Sequence, residues 1–151
     1  MKLCFAASSG GHLEQIMMLH PMMKEHESFI FTEKTNYKFD TKGIRNYTVT
    51  QINRRELLFV LKLCVIFIQA LVIFLREKPD VVISTGALAT VPICLLAKLF
   101  RKKVIFIESF SKINSPTITG RLMYKYADLF LVQWEEMKKF YPNSTYGGGI
   151  Y

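Results

Sequence analysis

Short apolar runs with no polar alternation, separated by longer stretches, constrain this chain more than any other feature. Leu3-Cys4-Phe5-Ala6-Ala7, Val81-Val82-Ile83 and Val104-Ile105-Phe106-Ile107 are examples. A strand with one wet face alternates apolar and polar residues, whereas a strand covered on both faces does not. Strands are therefore expected at 2–7, 28–32, 47–50, 81–84, 104–107 and 129–132. Helical spacing fills the gaps at 12–24, about 54–76, 88–100 and 117–127, with a short helix at 134–140. Pro92 fits the third long helix only if it lies in the first turn. Parallel neighbours need a crossover of this kind between them. The pattern implies an α/β fold: a Rossmann-like, doubly wound parallel sheet with helices on both faces. The 151 residues suffice for one such domain and not for two.

Ligands of doubly wound sheets sit beyond the carboxyl ends of the strands. Three strand ends here are small or polar: Ser8-Ser9-Gly10-Gly11-His12, Ser84-Thr85-Gly86 and Glu108-Ser109. All are expected on one edge. In the first, paired glycines ahead of a helix start offer backbone N–H groups to a phosphate or diphosphate. The alternative is an ordinary strand-to-helix turn capped by Ser9. Cys4, Cys64 and Cys94 lie in apolar runs without ligand-like spacing and read as small core residues of a reducing compartment. There is no metal-binding motif, and no cofactor is implied.

Residues 57–75, LLFVLKLCVIFIQALVIFL, carry only Lys62 and Gln69 as polar interruptions. The run nearly meets the ~20-residue length of a membrane span. A span would place the first strand and the last three on opposite sides of the bilayer. The preferred reading is a helix that packs on the sheet with one face and lies in the membrane interface with the other. A wholly buried core helix and a true span are the alternatives. Arg54, Arg55, Lys62 and Arg76 are positioned for lipid headgroups. The net charge of +8 then serves a membrane surface. Nucleic acid is not an expected partner, because no motif interleaves basic and aromatic residues.

Several pieces in order resemble a known family. They are Ser8-Ser9-Gly10-Gly11-His12, Arg54-Arg55-Glu56, Pro79-Asp80-Val81-Val82-Ile83, Val104-Ile105-Phe106-Ile107-Glu108-Ser109, Thr119-Gly120-Arg121-Leu122-Met123-Tyr124 and Ala127-Asp128-Leu129-Phe130-Leu131-Val132-Gln133-Trp134. The chain resembles the asparagine-linked glycosylation 14 type family, the membrane-anchoring subunits of a two-part UDP-N-acetylglucosamine transferase, and more closely their bacterial capsule and exopolysaccharide counterparts. The resemblance implies the N-terminal, acceptor-side half of a GT-B glycosyltransferase, with the donor-binding subunit on a separate chain. The implied partners are that subunit, membrane lipids and an undecaprenyl-diphosphate-linked acceptor, at the cytoplasmic face of the cell membrane. Eukaryotic members carry an N-terminal anchor. Here attachment is expected through the 54–78 segment and the partner.

In that frame His12 is the expected base or acceptor-positioning group. Glu108 is the second candidate, as a base or as the group that orients His12; a carboxylate capping the next segment is its alternative. Ser9, Gly10 and Gly11 would hold the lipid diphosphate, with Thr85 and Gly86 bordering the cleft. Trp134 reads as a partner-interface anchor or as a core indole with its N–H satisfied. Ile150 and Tyr151, at the end of a mobile Gly run, are expected to dock on the partner; the alternative is the stub of a linker that a fused enzyme would continue. A non-catalytic scaffold that recruits a complete transferase is the competing function.

Overall fold

Strand β1 (Lys2–Ala7) shows why its sequence has no polar positions. Leu3, Phe5 and Ala7 join a core with Leu13, Ile16, Met17 and Met23, while Cys4 and Ala6 join another with Ile66, Ala70, Phe74 and Ile93. Both faces are dry, so no alternation survives. The computed structural model describes residues 1–36, 39–53 and 55–150. Its other strands are β2 (Glu27–Glu33), β3 (Arg45–Val49), β4 (Val81–Gly86), β5 (Lys103–Ile107), β6 (Leu129–Val132) and β7 (Thr145–Tyr146). All pair in parallel, in the order β3-β2-β1-β4-β5-β6-β7. The order reverses between β1 and β4, which opens a crevice at their carboxyl ends.

Helices α1 (Gly11–Met17) and α2 (His20–Glu25) cover one face. The single helix expected over 12–24 is thus two. Pro21 sits in the first turn of α2, where it has no N–H to offer the preceding turn and its ring blocks continuation. Helices α3 (Phe59–Glu77), α4 (Val91–Leu99) and α5 (Ile118–Met123) cover the other face. Pro92 lies in the first turn of α4, as its chemistry requires. The segment expected as a helix at 134–140 is a 3₁₀ turn over Glu135–Lys139. β7 corrects the expectation of a mobile Gly tail: Gly147 N–H donates to the Val132 carbonyl at 3.1 Å and Ile150 packs on the core.

Helix α3 leaves β3 at the carboxyl edge and runs back to feed β4, so its N-terminus adjoins the crevice. It buries one stripe, Ile66, Ala70, Ile73 and Phe74. Val60, Leu61, Val65, Ile68, Val72 and Leu75 are exposed, which excludes the wholly buried alternative. Cys64 is exposed on this outer face and so is not the core residue expected. At the other end, buried Glu77 is held by Lys2 (3.1 Å), Arg45 (3.0 Å) and the Tyr47 hydroxyl. Burial alone would raise its pKa, but these donors outweigh it and hold the carboxyl below the ordinary range.

Candidate functional site

The crevice is an open cleft of about 680 Å³ lined by the first turns of several loops. Two hydrogen bonds fix its floor. Ser8 N–H donates to the Gly86 carbonyl at 2.9 Å, and the Thr85 hydroxyl donates to the His12 carbonyl at 2.8 Å. The first and second strand-end loops are therefore locked together, as their common edge implied. Gly86 has φ +95°, a left-handed conformation that favours glycine, and its Cα side lies against the His12 ring, where a Cβ would stand 3.4 Å from Cε1. Glycine is required at this position by the backbone conformation.

His12 lines the cleft half-buried. Its Nδ1 is buried against Gly86 and has no hydrogen-bond partner. An unpaired buried N–H is rarer than an unpaired buried acceptor. Of the two neutral tautomers, this favours the one with the proton on Nε2.

Gly10, not Ser9, occupies the N-cap of α1, with φ 81°, and no side chain caps the helix. The Ser9 hydroxyl instead donates to Glu33 at 3.4 Å. Ser9 and Gly10 border an adjoining pocket of about 440 Å³ with Gln51, a residue the two hollows share. The main cleft is lined by Ser8 and His12 from this turn, and by Thr85 and Gly86 from the second loop.

Glu108 is 1% exposed at the end of β5 and collects donors. Ser109 N–H (2.9 Å) and the Thr117 hydroxyl (2.9 Å) bond to Oε1, and the Tyr141 hydroxyl bonds to Oε2 at 2.6 Å. Burial and this carboxylate push the Tyr141 phenol well above its usual range. Thr117 in turn caps α5, accepting from Gly120 N–H at 2.7 Å. The carboxylate bonds to these groups and not to His12. It fastens α5, whose leading residues Thr117, Ile118 and Thr119 form a wall of the cleft.

Trp134 is half-buried; its indole N–H donates to the Phe110 carbonyl at 2.7 Å, and the two rings meet at a 40° tilt with centroids 5.0 Å apart. Gln133 bridges the Glu108 carbonyl (2.8 Å) and Ile150 N–H (3.1 Å). Trp134 and Ile150 thus make contacts within the chain; Tyr151 and Arg54 lie outside the described residues. Lys62 pairs with Glu56, and Arg76 lies over the Tyr47 ring at 6.0 Å. Arg55, expected at the lipid surface, lines the cleft.

Sequence reasoning missed Glu33, Gln51, Asn53, Arg55 and Lys112 as cleft residues. Glu33, closing β2, was visible as an acidic strand end; the others sit in loops whose course only the sheet topology decides. Among the described residues no group of three His, Cys, Asp or Glu side chains is disposed to hold a metal.

Comparison with known proteins agrees with this geometry. Residues 3–150 match the family model "Oligosaccharide biosynthesis protein Alg14 like". The human UDP-N-acetylglucosamine transferase subunit ALG14 is 38% identical over 81 residues, 50% of this chain and 38% of that protein. The matched part therefore spans well under half of that relative's length. Among solved structures, Acinetobacter baumannii MurG superposes with a TM-score of 0.69 at 19% identity, over 87% of this chain and 40% of MurG. UDP-N-acetylglucosamine 2-epimerase from Rickettsia bellii gives 0.77 at 14% identity, over 99% of this chain and 45% of the epimerase. These likenesses establish the fold, a single Rossmann-like domain equivalent to the N-terminal half of a GT-B glycosyltransferase. With its strand-end loops gathered around one cleft and a family match along nearly its whole length, the chain belongs to the Alg14-like family of oligosaccharide biosynthesis proteins.

Proposed function

We propose that this chain is the acceptor-binding and membrane-docking subunit of a heteromeric glycosyltransferase. Its partner supplies the nucleotide-sugar site, and the acceptor is a saccharide on undecaprenyl diphosphate, in capsule or exopolysaccharide assembly at the cytoplasmic face of the cell membrane. The human relative is a UDP-N-acetylglucosamine transferase subunit, which supports UDP-N-acetylglucosamine as the donor. One observation carries the reading: the cleft opens beside the N-terminus of α3, where Leu57 is 101% exposed and the outward apolar face begins. A lipid-linked acceptor can leave its tail along that face and its sugar in the cleft.

Sugar transfer needs a deprotonated or well-aimed acceptor hydroxyl and donors near the leaving diphosphate. The tautomer favoured at His12 supports the positioning role: Nε2–H donates to the acceptor and fixes its approach. The turn at Ser9, Gly10 and Gly11 offers backbone N–H groups beside it, while Thr85 anchors the His12 backbone and Gly86 lies against its ring. Glu108 acts through Thr117, holding the α5 wall. Trp134 sets the Phe110 loop that faces the partner.

Substitution at His12 separates this reading from the scaffold. With the partner present, His12→Ala is expected to slow transfer about 100-fold, the cost of a misplaced reactant. His12→Gln keeps an N–H donor and should retain most of the rate. Unchanged turnover in His12→Ala, with membrane and partner binding intact, would leave only the scaffold.

A further inference from the structure

Two cations in the cleft lack carboxylate partners. Arg55 enters from the segment before α3 and Lys112 from the loop after β5. Among the described residues neither makes an ion pair, and what sets them apart from the other unpaired cations is their place in the cleft. The carboxylates lining the same cleft are committed elsewhere. Glu108 is saturated by Ser109, Thr117 and Tyr141, and Glu33 accepts from Ser9 and from Ile52 N–H at 3.3 Å. Two unpaired cations converging on one concave surface form an anion site for a group that bridges both loops.

The surroundings select the anion. Arg55 lies two residues before Leu57 and three before Leu58, both exposed and apolar. Ile118, 70% exposed, stands on the opposite wall, on the Lys112 side of the cleft. Apolar surface outside, cations at the mouth and polar groups within match an amphiphile: a chain of hydrocarbon, a diphosphate and a sugar.

Resting on the acceptor-side reading, we infer that Arg55 and Lys112 form a two-sided clamp for the diphosphate of a lipid-linked acceptor. Arg55 contributes a planar fork of donors and Lys112 a point charge, which together cover both phosphoryl groups. The Ser9–Gly11 turn, whose Ser9 and Gly10 border the adjoining pocket, is not the main counter-charge. The clamp also fixes the direction of entry. The lipid tail lies toward Leu57 and the outer face of α3, and the first sugar lies toward His12 and Glu33.

Binding of the full chain to phosphatidylcholine vesicles with and without polyprenyl diphosphate tests this. The wild type should prefer the diphosphate vesicles. Arg55→Gln and Lys112→Gln should each weaken that preference about tenfold, the usual loss for one charge-assisted contact. Lys125→Gln, an exposed cation outside the cleft, should leave it unchanged. Binding to plain vesicles should be the same in all four proteins. Wild-type preference that survives both cleft substitutions overturns the clamp and spares the acceptor reading. A wild type without preference overturns both. UDP in solution is the other source of a diphosphate; UDP binding that depends on Arg55 and Lys112, without vesicle preference, would assign the clamp to a nucleotide and overturn the proposal.

Discussion

Replacing Gly120 by alanine should destabilise the protein, although helix propensity alone says the reverse. Gly120 lies inside α5, where alanine is ordinarily favoured by about 1 kcal/mol. Here the added Cβ would stand 2.0 Å from Glu108 Oε2, 2.6 Å from the Tyr141 hydroxyl and 2.8 Å from Glu108 Cδ. These are not loose side-chain ends. Glu108 is 1% exposed and tied at both oxygens, and Tyr141 is equally buried. Either α5 moves outward by an ångström or more, or the carboxylate abandons its donors. Overpacking costs about 1–3 kcal/mol. Each charge-assisted hydrogen bond lost in the interior adds about 1.5–3 kcal/mol. With one such bond lost, a net loss of about 1.5–5 kcal/mol follows once the propensity gain is subtracted. Urea unfolding followed by circular dichroism measures it. In a Glu108→Ala background the same change should cost less, since the nearest obstacle is gone and the Tyr141 hydroxyl can shift into the space it leaves. A Gly120→Ala protein as stable as the wild type would refute the packing argument, and an equal loss in both backgrounds would refute the part assigned to Glu108.

Two further outcomes are expected. Exchanging Leu61, Ile68 and Val72 for serine should leave the unfolding midpoint almost unchanged, because all three are exposed, yet abolish vesicle binding; Ile66→Ala, wholly buried, should cost about 2–5 kcal/mol. Stability should also fall in acid through Glu77. Its folded pKa is depressed, so the contribution is complete above the ordinary value near 4.5 and is lost as pH drops through the lower folded value. Glu77→Gln should remove that part of the acid dependence, as read from urea midpoints across the window.

The strands between dry faces were legible because burial on both sides leaves unbroken apolar runs. Val81-Val82-Ile83 is an example, with Val82 and Ile83 facing different cores. Edge strands were less so. β3 starts at Arg45, two residues before the expected run, because its outer positions face water. β7 has two exposed residues and no hydropathic signal. The convergence of His12, Gly86 and Glu108 was legible from strand ends, since a doubly wound sheet puts them on one edge. The commitments of Glu108 were not, because Thr117 and Tyr141 lie 9 and 33 residues away. A glycine inside the expected helix 117–127 was the one local hint of that contact. Arg55 pointed to the lipid by its place before an apolar helix. Its turn into the cleft depends on α3 running antiparallel to the strands, a consequence of topology that local patterning does not carry.

The account rests on one division of labour, with acceptor and membrane on this chain and donor on another. A transfer assay on membranes containing this chain alone, a candidate donor-site chain alone, or both together, with UDP-N-acetylglucosamine and a polyprenyl-diphosphate acceptor, tests it most directly. Transfer is expected only from the combined membranes and should fall about 100-fold there with His12→Ala. Full transfer from either chain alone would contradict the account.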